Sequence, residues 1–365
     1  MQCSGRSSLL VVGFLLLVTG TYTMDVGSAC PRSSSGVCRL IHDCPLALEQ
    51  IRRTRQHKLE RCGFQDLDEV VCCPEDEKSK ESETTTSKTD SRSPTLRKSV
   101  QACEEYSNEL TPDVEFQILG GTDAKLGEFP HMAGLGYESD DVGSDWSWDC
   151  GGSLISNSYI LTAAHCVVRR DEKMPEKVRL GKIDISGNSD SVMPQDFNVA
   201  EIIFHPEYSN RNKVNDIALI RLSRKVQYTA NVHPACLYFE PDDPKSVIIT
   251  GWGLTEAAGN RSQILQKATL STVPVTECNK THTSVAFAPN VLRSHICAFT
   301  VDRQIPTDAC QGDSGGPLQV LHKNQSSIYS IVGVTSYGRG CGSKYPGVYT
   351  RIYSYLDWIE GIVWS

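Results

Sequence analysis

The sequence predicts an all-β protein that carries a small cysteine-built module ahead of its main domain. Three observations support this. From about residue 118 onward, short apolar runs alternate with Gly, Pro, Asn and Asp, the pattern of strands joined by turns. Six cysteines crowd into residues 30–73, a stretch too short to bury a stable core without cross-links. Residues 75–99 hold 11 Ser or Thr, six acids and six bases and almost nothing apolar, so burial cannot offset their ordering entropy.

At the start of the chain, Arg6 precedes an apolar run from Leu9 to Val18, too short to span a bilayer. Gly20, Thr21, Thr23 and Gly27 follow, and the whole reads as a secretory signal peptide over 1–23, with its cut between 20 and 27. Of the 15 cysteines Cys3 leaves with it, and the even number that remains suits an oxidising, extracellular compartment. No later stretch is long enough to anchor the chain in a membrane. A net charge of −8 with both signs interspersed gives no sign of a nucleic-acid partner, and a metal or cofactor requirement has no motif to support it.

The cysteine module, 30–73, contains Cys30, Cys38, Cys44, Cys62, Cys72 and Cys73, which allow 15 connectivities. Between Leu48 and Arg61 five residues are Arg or Lys. That run suits a short helix and either a solvated face or a docking surface for an acidic partner. Residues 74–117 read as a flexible linker and pro-segment, and 118–365 as the main domain. Its strand-like runs include Ser153-Leu154-Ile155, Val178-Arg179-Leu180, Ile202-Ile203-Phe204, Val247-Ile248-Ile249-Thr250 and Ser330-Ile331-Val332-Gly333-Val334. Tyr353 to Trp364 is amphipathic and predicts a terminal helix.

Chemistry concentrates in Asp308-Ala309-Cys310-Gln311-Gly312-Asp313-Ser314-Gly315-Gly316-Pro317. A serine hydroxyl needs a base beside it and donors facing the developing oxyanion. The flanking glycines allow a tight turn that aims the Gly312 and Ser314 amides at one oxygen. His165, in Leu161-Thr162-Ala163-Ala164-His165-Cys166, is the candidate base, and a disulfide at Cys166 would fix its ring. Asp216, opening the apolar run Asn215-Asp216-Ile217-Ala218-Leu219-Ile220, is the candidate orienting carboxylate.

On these residues the chain from Ile118 resembles the chymotrypsin-like serine proteases, with the order His165, Asp216, Ser314. The Cys72-Cys73-Pro74 ending and Cys44-Pro45 make the whole similar to the arthropod clip-domain serine proteases. The resemblance implies a double six-stranded antiparallel β-barrel with a C-terminal helix, and a trypsin-like serine endopeptidase. It assigns catalysis to the His165, Asp216, Ser314 triad and the oxyanion hole to Gly312 and Ser314. The S1 pocket becomes Asp308, Gly338 and Gly347, a carboxylate between open walls that would take substrate Arg or Lys. The implied disulfides are Cys30–Cys72, Cys38–Cys62, Cys44–Cys73, Cys103–Cys236, Cys150–Cys166, Cys278–Cys297 and Cys310–Cys341.

Ile118-Leu119-Gly120-Gly121 is similar to the family's N-terminus after activation, whose ammonium would pair with Asp313. The bond to be cut follows Gln117, where many relatives carry Arg or Lys, which implies an activating protease that is not trypsin-like. The resemblance further implies a secreted zymogen in an extracellular, hemolymph-like fluid. Its target would be a downstream protease zymogen in a cascade of innate immunity, melanisation or developmental patterning, and its inhibitor a serpin. A digestive trypsin and a non-catalytic clip-domain scaffold are the competing readings. Asn260, Asn279 and Asn324 stand in glycosylation sequons. Glu138, Asp140, Asp141, Asp145 and Asp149 form an acidic stretch that the resemblance places on the leaving-group side, suited to basic residues after the scissile bond or to simple solvation. Lys182, after Gly181, replaces the acid of calcium-binding relatives.

Overall fold

The computed structural model describes residues 28–30, 36–41, 44, 46–47, 50, 57–65, 68–74, 96–109, 122–140, 146–169, 171–186, 192–253, 261–283, 290–300, 314–322, 328–338 and 345–365. The chain divides into two compact units, Met1–Arg92 and Ser93–Ser365.

In the first unit, β1 (Gly36–Leu40), β2 (Arg61–Gln65) and β3 (Asp68–Pro74) form an antiparallel sheet in the order β1-β3-β2. Successive residues of a strand face opposite ways, so the vicinal Cys72 and Cys73 serve different faces. Cys72 bonds Cys30 and packs with Cys38, Cys62 and Val70; Cys73 bonds Cys44 and packs with Ala47 and Val71. Cys38–Cys62 ties β1 to β2 across the central strand. Gly36 is required here, because a Cβ would lie 2.8 Å from Cys30 Sγ. Much of the basic run lies outside the described residues. Arg61 opens β2, and its guanidinium, with the His57 ring, bonds Glu69, which holds that carboxyl below its ordinary range although burial opposes the charge.

The second unit opens with helix α1 (Lys98–Glu109), inside the segment that the sequence assigns to a flexible linker. Its ordering comes from tertiary contacts. Ser99, Ala102, Cys103 and Tyr106 are buried along one face, Cys103 is bonded to Cys236, and the Tyr106 ring packs edge-on against Tyr228 and His233.

The short β4 (Thr122–Asp123) precedes β5 (Met132–Glu138), β6 (Trp146–Leu154) and β7 (Tyr159–Thr162). Helix α2 (Ala164–Val167), β8 (Lys177–Leu180), β9 (Gln195–Phe204) and β10 (Ala218–Leu222) follow. Strands β5 to β10 close an antiparallel barrel in the order β10-β7-β6-β5-β8-β9. Alternate inward positions bring Leu135, Leu154, Ile160, Val178, Leu180, Phe197 and Ile220 into one core.

Next come β11 (Cys236–Leu237), β12 (Ser246–Gly251), β13 (Gln266–Val273), helix α3 (Val275–Thr283) and β14 (His295–Phe299). Strands β15 (Pro317–Leu321), β16 (Tyr329–Tyr337) and β17 (Gly347–Arg351) complete the set. Pairing of β16 with β17 closes a second six-stranded barrel, β12-β13-β14-β17-β16-β15, with β11 added parallel to β16 and β4 added to β13. Val247, Ile249, Leu270, Ile296, Leu318, Val332 and Tyr349 fill it. After a 3₁₀ turn at Ile352–Tyr355, helix α4 (Leu356–Val363) ends the chain and packs Leu356 and Ile359 onto the first barrel's core. No helix among the described residues is long and apolar enough to cross a membrane.

Candidate active site

Small residues make room for the histidine. Ala163 and Ala164 are fully buried at the start of α2, and the Cys150–Cys166 disulfide fastens that helix to β6. His165 Nδ1 lies 2.8 Å from Asp216 Oδ2, and the His165 backbone N–H donates to Asp216 Oδ1 at 2.9 Å. A carboxylate only accepts, so Nδ1 carries the proton and Nε2 is left as a base.

Asp216 is fully buried two residues ahead of β10. Burial alone would push its carboxyl up. The adjacent His165, through charge and two hydrogen bonds, and Ser336 Oγ at 2.5 Å hold it below the ordinary carboxylate range instead. Thr350 Oγ1 donates to the Asp216 carbonyl at 2.8 Å. Ser336 and Thr350 belong to β16 and β17, so the second barrel grips both the carboxylate and the backbone carbonyl of an aspartate carried by the first.

Ser314 lies half-buried ahead of β15, and its carbonyl accepts from Gly151 N–H of β6 at 2.8 Å. Gly315 takes φ +76°, and a Cβ there would overlap Thr162 Oγ1 and approach Cys166 Sγ to 3.0 Å. Glycine therefore lets the Ser314 turn press against the disulfide that fixes the histidine helix. A cavity of about 280 Å³ beside His165 is lined by Val168, Arg169, Asp171 and Asn210.

Gly338 is exposed just after β16, two residues beyond Ser336, and Gly347 opens β17 opposite Ala298. Asp308, Gly312, Asp313, Gln117, Ile118, Asn260, Asn324 and the Cys310–Cys341 pair lie outside the described residues. Cys278 is bonded to Cys297, and Asn279, in α3, accepts from Val291 N–H through Oδ1 at 3.0 Å.

Two aspartates of the acidic stretch are paired with basic side chains of the same unit. Asp149 accepts from Arg169 Nη1 at 2.8 Å and from Arg261, and Asp140 accepts from Lys173 Nζ at 2.6 Å. Lys182 is buried, its ammonium donating to the Val192 carbonyl at 2.7 Å, so a lysine cation ties that loop together. Sequence reasoning missed Ser336 and Thr350. Their only signal was polarity at the ends of apolar strand runs.

Residues 118–359 match the trypsin family. The chain is 36% identical to Serine protease snk of Drosophila melanogaster, over 93% of this chain and 79% of that protein. It is 36% identical to Phenoloxidase-activating enzyme 1 of Spodoptera litura, over 84% and 83% of the two chains. CLIP domain-containing serine protease HP8 of Bombyx mori is 32% identical over 96% of each.

Proposed function

The chain belongs to the trypsin family, among its clip-domain serine proteases, and from that premise we propose that this serine endopeptidase is a secreted cascade zymogen that cuts after Arg or Lys to activate another protease. The bond between half-buried His165 and fully buried Asp216, gripped by Ser336 and standing beside the Ser314 turn, carries the reading. Ser314 attacks the scissile carbonyl, and His165 Nε2 takes its proton and returns it to the leaving amine. Asp216 keeps the imidazole in the Nδ1–H tautomer and stabilises the imidazolium. The Gly312 and Ser314 amides receive the oxyanion.

Substrate selection falls to Asp308 between Gly338 and Gly347. Cleavage between Gln117 and Ile118 frees an ammonium that pairs with Asp313 and orders the oxyanion hole, a charge pair available only to the cut form. The activator is a protease of non-trypsin-like specificity, since Gln117 precedes the bond. Residues 1–23 act as the signal peptide, 30–73 as the clip domain and 74–117 as linker and pro-segment. Cys103–Cys236 then keeps the cut chain in one piece. Similarity to proteins named as phenoloxidase-activating and melanization proteases supports a place in a melanisation cascade.

The test replaces Val114 to Gln117 with an enterokinase site ending before Ile118. After cutting, Arg, Lys, Phe and Leu peptide amides are assayed. Turnover of the Arg and Lys substrates, abolished in Ser314→Ala, is the expected result. No turnover despite a verified Ile118 terminus would overturn the reading and favour a scaffold that only binds other proteases.

A further inference from the structure

Just ahead of Asp216 two residues are left-handed although neither is glycine: Lys213 at φ +52° and Asn215 at φ +56°. Side chains with a Cβ resist that conformation, so the surroundings must hold it. Residues 206, 207 and 210–212 of the same loop are exposed, so its own packing does not suffice.

Asn215 is secured at both ends of its amide. Nδ2 donates to the Glu207 carbonyl at 3.0 Å, and Oδ1 accepts from the Tyr355 hydroxyl at 2.8 Å. Lys213 is secured from the other barrel. His295, the first residue of β14, places Nε2 3.1 Å from the Lys213 carbonyl, while its Nδ1 accepts from Leu292 N–H at 3.0 Å. A carbonyl only accepts and an amide N–H only donates, so this buried ring is neutral with its proton on Nε2. Burial also lowers its pKa.

The ring has backing of its own. The Arg351 guanidinium, paired with Asp243, donates to the His295 carbonyl at 3.2 Å. His295 is the register partner of Thr350, and paired residues of an antiparallel ladder face the same way. Thr350 Oγ1 bonds the Asp216 carbonyl, so two neighbouring side chains of one barrel grip one loop of the other.

We infer that His295 is a positioning residue of the endopeptidase: it pins the left-handed turn at Lys213 across the barrel seam and so fixes where the Asp216 carboxylate meets His165. The inference rests on the assignment of Asp216 as the orienting carboxylate. Its effect falls on the chemical step, because a misplacement of about 1 Å in a catalytic group costs up to about a hundredfold in rate.

Two substitutions separate the ring's two bonds. His295→Gln keeps a donor near the Nε2 position, within reach of the Lys213 carbonyl. His295→Asn keeps an acceptor near the Nδ1 position for Leu292 and loses the donor. Both are made in the full chain with the enterokinase site, and rates are normalised to active sites titrated by a fluorophosphonate. The Asn variant is expected to lose about tenfold in kcat with KM nearly unchanged, and the Gln variant to stay within about threefold of wild type. Full kcat in the Asn variant, or equal losses in both, would overturn the inference. Where the Asn variant fails to fold, a large kcat loss in the Gln variant overturns it. An Asp216→Asn control with wild-type turnover would instead sink the triad assignment itself, and the two failures are thereby told apart.

Discussion

Glu360, near the end of the chain, caps a helix that begins at Lys98. Its Oε1 accepts from the Ser99 hydroxyl at 2.5 Å, from the Ser99 backbone N–H at 3.3 Å and from Arg97 Nε at 3.0 Å. Helix α1 has no acid of its own in the first turn. A carboxylate from α4 supplies both the hydrogen-bond acceptor and the negative charge that a helix N-terminus favours.

Removing that charge is expected to loosen helix α1. Glu360→Gln keeps the shape and is expected to cost about 1–2 kcal/mol. Urea unfolding of the uncut chain measures it. An unchanged midpoint would show that Cys103–Cys236 and the buried face of α1 hold the helix without this cap.

Gly315→Ala strikes the turn that carries Ser314. The new methyl would meet Thr162 Oγ1 and the Gly151 carbonyl in a backbone conformation that alanine resists. A loss of about 3 kcal/mol or more is expected, with fluorophosphonate labelling of Ser314 suppressed in whatever folds. Normal labelling in a stable variant would contradict the packing described for this turn.

Acid destabilises the fold through His131. Complete burial of this ring, among groups that include His233, lowers its pKa to about 3. The unfolded chain therefore binds a proton near pH 6.5 that the folded chain refuses. Stability is complete above pH 6.5 and declines as the pH falls toward 3, by roughly 1.4 kcal/mol per pH unit at most. His131→Phe is expected to flatten the loss between pH 6.5 and 5, whatever it does to absolute stability. Urea melts at the two pH values give the comparison, and an identical slope would refute this origin.

Lys267 Nζ lies 2.6 Å from Glu128 Oε1 with both side chains buried, and Glu128 Oε2 accepts from Lys125 N–H. Lys267→Met strands a buried carboxylate and is expected to cost about 3–5 kcal/mol. Adding Glu128→Leu should return much of that loss. A double-mutant cycle on thermal unfolding checks both expectations, and additive losses would mean that the pair is not coupled.

The barrels were legible because each strand satisfies a local rule. Val247 to Thr250 and Ser330 to Val334 are strand-forming runs bounded by turn residues, and they became β12 and β16. His165 and Asp216 were legible because their chemistry is written beside them, in small residues around a ring and an acid at the head of an apolar strand. Helix α1 was not. Its cap lies 261 residues away at Glu360 and its central anchor 133 residues away at Cys236, and no local pattern announces either. Ser336, Thr350 and His295 stayed hidden for the same reason. A polar residue at a strand end is unremarkable until its partner in the other barrel is known.

The grip on Asp216 turns the seam between the barrels into a tolerance gauge. Asp216 stands on one barrel's chain, while Ser336 reaches its carboxylate and Thr350 its backbone carbonyl from the other. A slip of the two bodies by a fraction of an ångström would leave each core packed and every disulfide intact, yet would stretch these bonds first. Activity therefore reports alignment more finely than any measure of folding can.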